Sequence, residues 1–348
     1  MSLTPAVVVI DGIATVQDLT LPRLQDDSIL VRVKAIALNP ADWKHIDYGT
    51  VDNGCRVGCD FSGVVEDTGC AVQRFRKGSR IAGFVRGCDR AHPANGAFAH
   101  HIVVKEGLQL LVPGNTTDEE AATLGVAITT IGQSLYRSLH LPMPTTPAPE
   151  ASSLLIHAAS TATGLLGVQY AKASGLKVIA TCSPHNFDEV RSMGADVVVD
   201  YRSPQCAADI KRITDNRLRY AWDCIGTGVD VCIAALSDSE PVFYTTINPM
   251  DKKQVRKSHP NVQIHITMAY DAFGEEYLWE GEVVPPKPDE LEFAISFFQL
   301  SQRLLAAGSI KPITPTVNYT GSDLGGAVAG LDELRSGSVS GTKLVYTI

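Results

Sequence analysis

Apolar positions fall into two rhythms along the chain. Up to about residue 125, short apolar runs (Ala6–Ile10, Ile29–Ala37, Gly63–Glu66, Arg80–Phe84 and His101–Val104) are punctuated by Gly, Pro, Asp and Asn. Such runs predict the strands of a compact, partly closed antiparallel domain. Thr117-Asp118-Glu119-Glu120 then opens an apolar helical stretch, with its acids where they complement the positive end of the helix dipole. From Leu141 to Ser152, prolines at 142, 144, 147 and 149 forbid a continuing helix and predict a stiff surface connection.

Beyond that connection the rhythm becomes regular alternation. Leu154–Ile156, Val178–Thr181, Val197–Val199 and Tyr220–Trp222 read as strands. Leu165–Ser174, Phe187–Met193 and Ala207–Asp215 read as the intervening helices, two of them stopped by Gly175 and Gly194, and Val229–Leu236 and Val242–Ile247 continue the series. Strand–helix alternation at this spacing predicts an α/β fold, a doubly wound parallel sheet of the Rossmann dinucleotide type with helices on both faces. From about residue 280 the alternation lapses. A helix near Glu290–Ala307, another near Asp323–Ser336 and a strand at Lys343–Thr347 follow. That last strand can rejoin the early β region, so residues 1–125 and 280–348 are expected to build one mostly-β domain around an inserted unit at 126–279.

With 348 residues, 45% apolar and 20% charged, the chain has a globular balance and length for about two domains. No charge-free apolar run reaches the roughly 18–20 residues of a spanning helix. The start, MSLTPAVVVIDG, lacks the basic flank of a signal peptide, so it reads as a first strand and the default location is the cytosol. A net charge of −8 argues against nucleic acid as a main partner. The eight cysteines (Cys55, Cys59, Cys70, Cys88, Cys182, Cys206, Cys224 and Cys232) are too dilute for a disulfide scaffold and contain no C-x2-C pair, which predicts free thiols. Cys55, Cys59 and Asp60, with the isolated His45, His92, His100 and His101, form no recognised zinc set, so no metal is expected. Two basic islands interrupt the acidic background: Arg74, Arg76, Lys77, Arg80, Arg86 and Arg90, and then Lys252, Lys253, Arg256 and Lys257. Each reads either as solvated loop charge or as a docking patch for an acidic partner.

Candidate chemistry starts in the turn after Ile156, which reads His157-Ala158-Ala159-Ser160-Thr161-Ala162-Thr163-Gly164-Leu165-Leu166-Gly167. Gly164 and Gly167 match the last two glycines of a phosphate-binding turn, while small residues replace the first. Small side chains let the backbone approach a pyrophosphate, and the N–H groups of the following helix stabilise its charge. The same glycines also suit close helix–strand packing alone. At the end of the second strand an NAD site places an acid on the ribose 2′-hydroxyl. Here Ser183-Pro184-His185-Asn186 offers Ser183, His185 and Asn186 as donors to a 2′-phosphate, with Tyr201 flanking the adenine and Arg202 adding charge. NADPH is the expected cofactor, and an ordinary polar loop is the other reading.

The chain resembles the zinc-free quinone-reductase branch of the medium-chain dehydrogenase/reductase superfamily. Asn39-Pro40-Ala41-Asp42-Trp43-Lys44 is similar to its N-P-x-D-x-K segment, and Gly58-Cys59-Asp60-Phe61-Ser62-Gly63 to its G-x-D-x-x-G. Within the branch it is similar to the trans-acting enoyl reductases of fungal polyketide pathways, through Ala159–Thr163, Ala180–Phe187, Asp200–Arg202 and Leu218–Ile225. The resemblance implies a GroES-like domain holding the inserted Rossmann unit. It implies cofactor contacts at Ala41, Asp42, Trp43 and Lys44, at Ser160 to Gly167, at Ser183 to Asn186, at Tyr201, at Ile247 and Asn248, and at Thr342 and Lys343. It also implies an acyl pocket lined by Val126-Ala127-Ile128-Thr129-Thr130-Ile131-Gly132-Gln133 and Tyr270-Asp271-Ala272-Phe273-Gly274. The implied reaction is NADPH-dependent reduction of an α,β-unsaturated polyketide thioester, presented to a monomeric enzyme by an acyl carrier domain of a partner synthase. Hydride chemistry belongs to the cofactor, so no nucleophile is required. Lys44 is the one candidate catalytic side chain, against the reading of an exposed lysine, and the α-proton is expected from solvent. Two alternatives share the fold: a zinc-free quinone or small-enone reductase acting on free substrates, and a nucleotide-binding accessory protein without turnover.

Overall fold

The computed structural model describes residues 3–148, 152–279 and 281–348, so Pro149 of the proline-rich connection and position 280 lie outside it. Two compact units emerge. One takes residues up to 129, 270–307 and 312–348; the other takes 130–269 with 308–311. The hydrophobic pattern draws these boundaries at 125/126 and 279/280.

The first unit begins with a hairpin of β1 (Leu3–Ile10) and β2 (Ile13–Thr20). Asp11 and Gly12 at its tip both have positive φ, 50° and 74°, as a two-residue turn matching strand twist requires. The pattern misses β2 because its side chains are half-buried or exposed, leaving no apolar face to read. β3 (Ser28–Ala37), α1 (Pro40–Asp47), β4 (Asp60–Thr68), β5 (Arg80–Phe84), β6 (His101–Lys105) and β7 (Gln109–Leu111) follow. α2 (Asp118–Ala121) is opened by Thr117, whose side chain accepts from the Glu120 N–H while the Glu120 carboxylate accepts from the Thr117 N–H, a capping box. α3 (Gly125–Ile131) runs on into a π-helical turn at Gly132–Ser138.

The second unit is a six-stranded parallel sheet. Its strands are β8 (Ser153–His157), β9 (Lys177–Cys182), β10 (Val197–Asp200), β11 (Tyr220–Asp223), β12 (Val242–Thr246) and β13 (Val262–Ile266), in spatial order β10-β9-β8-β11-β12-β13. That is the doubly wound order, whose reversal beside β8 opens a crevice at the carboxyl ends of the strands. The crossover helices are α4 (Ala162–Ala173), α5 (Phe187–Ser192), α6 (Cys206–Ile213), α7 (Val229–Ala235) and α8 (Lys252–Ser258). Leu155, Ile179, Ile210, Ala221, Cys232 and Tyr244 sit in its core.

The chain then returns to the first unit through the hairpin β14 (Tyr277–Trp279) and β15 (Glu282–Val284), α9 (Pro288–Ala306), β16 (Thr316–Val317), α10 (Asp323–Ser336) and β17 (Leu344–Thr347). β17 pairs antiparallel with β3, completing a sheet of order β16-β17-β3-β4-β5-β7, with β6 also on β3. Leu324, Leu331, Leu344 and Tyr346 share one core with Val7, Ile36 and Phe61. All eight cysteines are free thiols, and all but Cys70 are buried.

Candidate active site

In the second unit, the implied cofactor contacts gather where parallel strands end. After β8, Ala158 turns through the left-handed region at φ 57°, and Thr161 caps α4 by accepting from the Gly164 N–H at 3.0 Å. A Cβ on Gly164 would lie 2.7 Å from the Ala159 Cα, and one on Gly167 would overlap the Trp222 ring. Both glycines therefore let α4 press onto the turn and onto β11. The same packing aims the positive end of a twelve-residue helix at the turn.

After β9, buried Ser183 leads into a 3₁₀ turn at Pro184–Asn186. Arg202, just past β10, donates to Ser183 Oγ at 3.1 Å and to Tyr201 Oη at 3.2 Å. The Arg202 hydrogen bond, followed by that of the Ser183 side chain to the same phenol, holds Tyr201 below its ordinary range. Asp200 accepts from the Arg202 backbone N–H. A guanidinium and a hydroxyl thus meet where the sequence offers no carboxylate before Asp188.

Sequence reasoning misses the loop after β11. Fully buried Asp223 accepts from the backbone N–H groups of Ile225 (3.0 Å), Gly226 (2.8 Å) and Gly228 (2.6 Å) and from Tyr244 Oη (3.1 Å). Asn248, after β12, donates to the Ile225 carbonyl at 2.6 Å, and the His157 ring fills the space a Gly228 side chain would need. Asp followed by glycines at +3 and +5 is the legible trace of such a side-chain-anchored turn. In the π-helical turn, Gln133 has its side-chain oxygen buried without a hydrogen-bond partner among the described residues. Such turns occur disproportionately at functional sites.

The first unit gathers the other implied residues. Lys343 is buried, and its ammonium pairs with the Asp60 carboxylate while also donating to Asn39 Oδ1 (3.0 Å) and the Thr123 carbonyl (3.4 Å). All three of its N–H groups are thereby engaged. Asp60 further accepts from Asn39 Nδ2 and from the Val126 N–H at 2.7 Å. On α1, Asp42 accepts from the Asn39 N–H; burial, aided by the nearby Asp60 charge, pushes its pKa to about 7. Lys44 is half-buried with its Nζ 5.8 Å from the Trp43 ring centroid, and burial lowers its pKa. Thr342 pairs with Thr316.

His45 and Tyr270, 225 positions apart, meet at 2.5 Å, and His45 Nδ1 reaches Thr50 Oγ1 at 2.9 Å. Burial and the Arg86 charge push His45 down to about 4, so its ring is neutral near pH 7. The Arg86 guanidinium lies 4.9 Å from the Tyr270 ring and 5.0 Å from that of Tyr277. Asp271 is held by Tyr277 and Lys287, each at 2.7 Å, and Phe273 packs on Phe84. Gly274 has φ 67°.

Of the implied acyl-lining stretches, Val126–Thr129 and Tyr270–Gly274 belong to the first unit, and Thr130–Gln133 to the second. The first basic island disperses: Arg74 donates to the carbonyls of Glu106, Gly107 and Gln109, Arg80 pairs with Asp118, and Arg90 with Asp52.

Residues 25–114 match the alcohol dehydrogenase GroES-like domain, and residues 162–265 the zinc-binding dehydrogenase family. The trans-enoyl reductase ACTTS2 of Alternaria alternata is 42% identical over 342 residues, covering 97% of this chain and 96% of the relative. The trans-enoyl reductase TOXD of Cochliobolus carbonum is also 42% identical, over 81% of this chain and 94% of its own. Among solved structures, the CurK enoyl reductase superposes with TM-score 0.76 at 17% identity, covering 99% of each chain. A mycobacterial protein solved with NADPH gives 0.76 at 19%, over 99% of this chain and 100% of its own. The zinc in the second family's name does not fit the residues present. An ammonium already balances Asp60, burial lifts the Cys59 thiol well above its ordinary range, and no metal-holding group of three or more His, Cys, Asp or Glu occurs among the described residues.

Proposed function

We infer the finer chemistry from the premise that this chain belongs to the trans-enoyl reductases of the medium-chain dehydrogenase/reductase superfamily. It is an oxidoreductase acting on a carbon–carbon double bond, of a family whose name implies work with a partner polyketide synthase. The proposal is that its cofactor is NADPH and its substrate an α,β-unsaturated thioester carried on an acyl carrier domain of that synthase.

The observation that carries the cofactor reading is the Arg202–Ser183 pair at the ends of β9 and β10. A guanidinium and hydroxyl there favour a 2′-phosphate, where NAD sites place a carboxylate. The glycine-packed start of α4 fits a pyrophosphate, and Tyr201 fits the flank of an adenine. The unpartnered Gln133 oxygen fits a donor that the chain itself does not provide. When bound, NADPH supplies the hydride. The chain's part is then orientation and charge: the enolate that forms as the β-carbon is reduced calls for hydrogen-bond donors at the thioester oxygen. Lys44, half-buried on α1, offers an N–H donor to a cofactor ribose or phosphate oxygen. Lys343, with its donors engaged, supports this region by tying Asn39, Asp60 and Thr123 together.

Arg202→Ala is expected to weaken NADPH binding about tenfold while leaving NADH binding unchanged, because only the 2′-phosphate loses a charged donor. Calorimetric titration with both coenzymes checks this, and an equal loss for the two refutes the 2′-phosphate role. Assays with free and carrier-bound enoyl thioesters test the substrate: preference for free small enones or quinones sinks the carrier reading.

A further inference from the structure

The second basic island behaves unlike the first. Lys252, Lys253, Arg256 and Lys257 lie together on α8, where Val255 is buried and Lys253, Arg256 and Lys257 are exposed. At about 100° per residue, Lys253 and Lys257 stand opposite Val255 and Arg256 beside them, so one outer face carries the charge. Among the described residues no carboxylate pairs with any of the four. Several other surface cations are matched: Arg32 with Glu66, Lys105 with Glu275, Lys172 with Asp196, Lys211 with Asp238.

Local stability does not explain the arrangement. Lys252–Arg256 and Lys253–Lys257 are like-charge pairs at i,i+4, which weaken a helix. Lys252 and Lys253 also occupy the first turn, where the dipole disfavours cations; the Asp251 side chain, accepting from the Lys253 and Gln254 N–H groups, offsets this. A self-repelling face on a chain of net charge −8 calls for an external anion.

We propose that the outer face of α8, formed by Lys253, Arg256 and Lys257 with Lys252 at its edge, docks an acidic surface of the carrier domain that presents the enoyl thioester. This rests on the reading of the chain as a carrier-dependent reductase. A carrier brings at least the phosphodiester at the root of its thioester arm, and on a chain of net charge −8 an acidic partner is steered to this basic face, which pairs with no carboxylate among the described residues.

The test measures anisotropy of a labelled, crotonyl-loaded acyl carrier domain, taken from the synthase that partners a trans-enoyl reductase relative, against the full chain. K253E/R256E/K257E is expected to raise Kd about tenfold or more, and K253Q/R256Q/K257Q to raise it less. R76E/K77E, at the exposed remnant of the dispersed island, is expected to change nothing. Added salt should weaken the wild type and spare the charge-reversed variant. Unchanged NADPH binding shows that the variants are folded. Equal Kd for wild type and reversal, an equal loss in R76E/K77E, or no carrier binding by wild type overturns the proposal. So does a reversal that spares carrier binding but abolishes binding to phosphatidylserine vesicles or duplex DNA. NADPH oxidation by wild type with the crotonyl-loaded carrier and with crotonyl-pantetheine reads separately: no oxidation with either sinks the reductase reading, while anisotropy still decides the docking.

Discussion

Ala158 occupies a backbone conformation that L-residues adopt at a cost, with φ 57° at the turn after β8. Ala158→Gly removes the Cβ conflict and is expected to gain about 0.5–1 kcal/mol, seen as a melting temperature raised by roughly 1–4 °C. Gly167→Ala does the opposite. Its methyl overlaps the Trp222 ring, and the expected loss is about 1–3 kcal/mol in denaturant unfolding. The run of small residues around Ser160 is legible as a tightly packed strand-to-helix turn because close backbone approach needs small side chains whatever the details. The positive φ at Ala158 is not legible, since alanine carries no mark of the left-handed region. Asp223 escapes notice because three of its four partners are backbone N–H groups, whose only mark in residue identity is the glycines at +3 and +5.

At the scale of elements, α1 joins sequence to pH. Its third residue, Asp42, is almost fully buried and titrates at about 7, far above the roughly 4 of an unfolded aspartate. The folded state therefore binds this proton more tightly than the unfolded chain. The stability it lends is fully present below about pH 4 and lost as the pH rises through about 7. Asp42→Asn keeps an acceptor for the Asn39 N–H and abolishes the titration. Its melting temperature is expected to fall less than the wild type's between about pH 5 and 8; an identical fall shows that Asp42 does not titrate there. Apolar periodicity finds five of the six parallel strands, β8 to β12 but not β13, and the long α9 and α10, because each buries a clear stripe. It misses β2, whose faces are mostly open, and it cannot separate the basic islands, because the carbonyls that absorb Arg74 belong to residues 106–109.

For the whole molecule, the Asp60–Lys343 pair spans 283 positions and is buried at both ends. Lys343→Met leaves Asp60 charged without its ammonium, an expected loss of about 3–5 kcal/mol in denaturant unfolding, and adding Asp60→Asn should restore part of it. No motif announces this pair; only the return of β17 to β3 brings the two residues together. That return also sets a schedule. At roughly 5–20 residues per second, a ribosome needs about 10–45 s to pass from residue 129 to β17. Throughout that interval the Ala35–Ala37 end of β3, beyond its pairing with β6, waits with one edge unfilled, so the newborn polypeptide is a natural client for chaperones, and agents that slow elongation should drive it towards aggregation before they harm the finished enzyme.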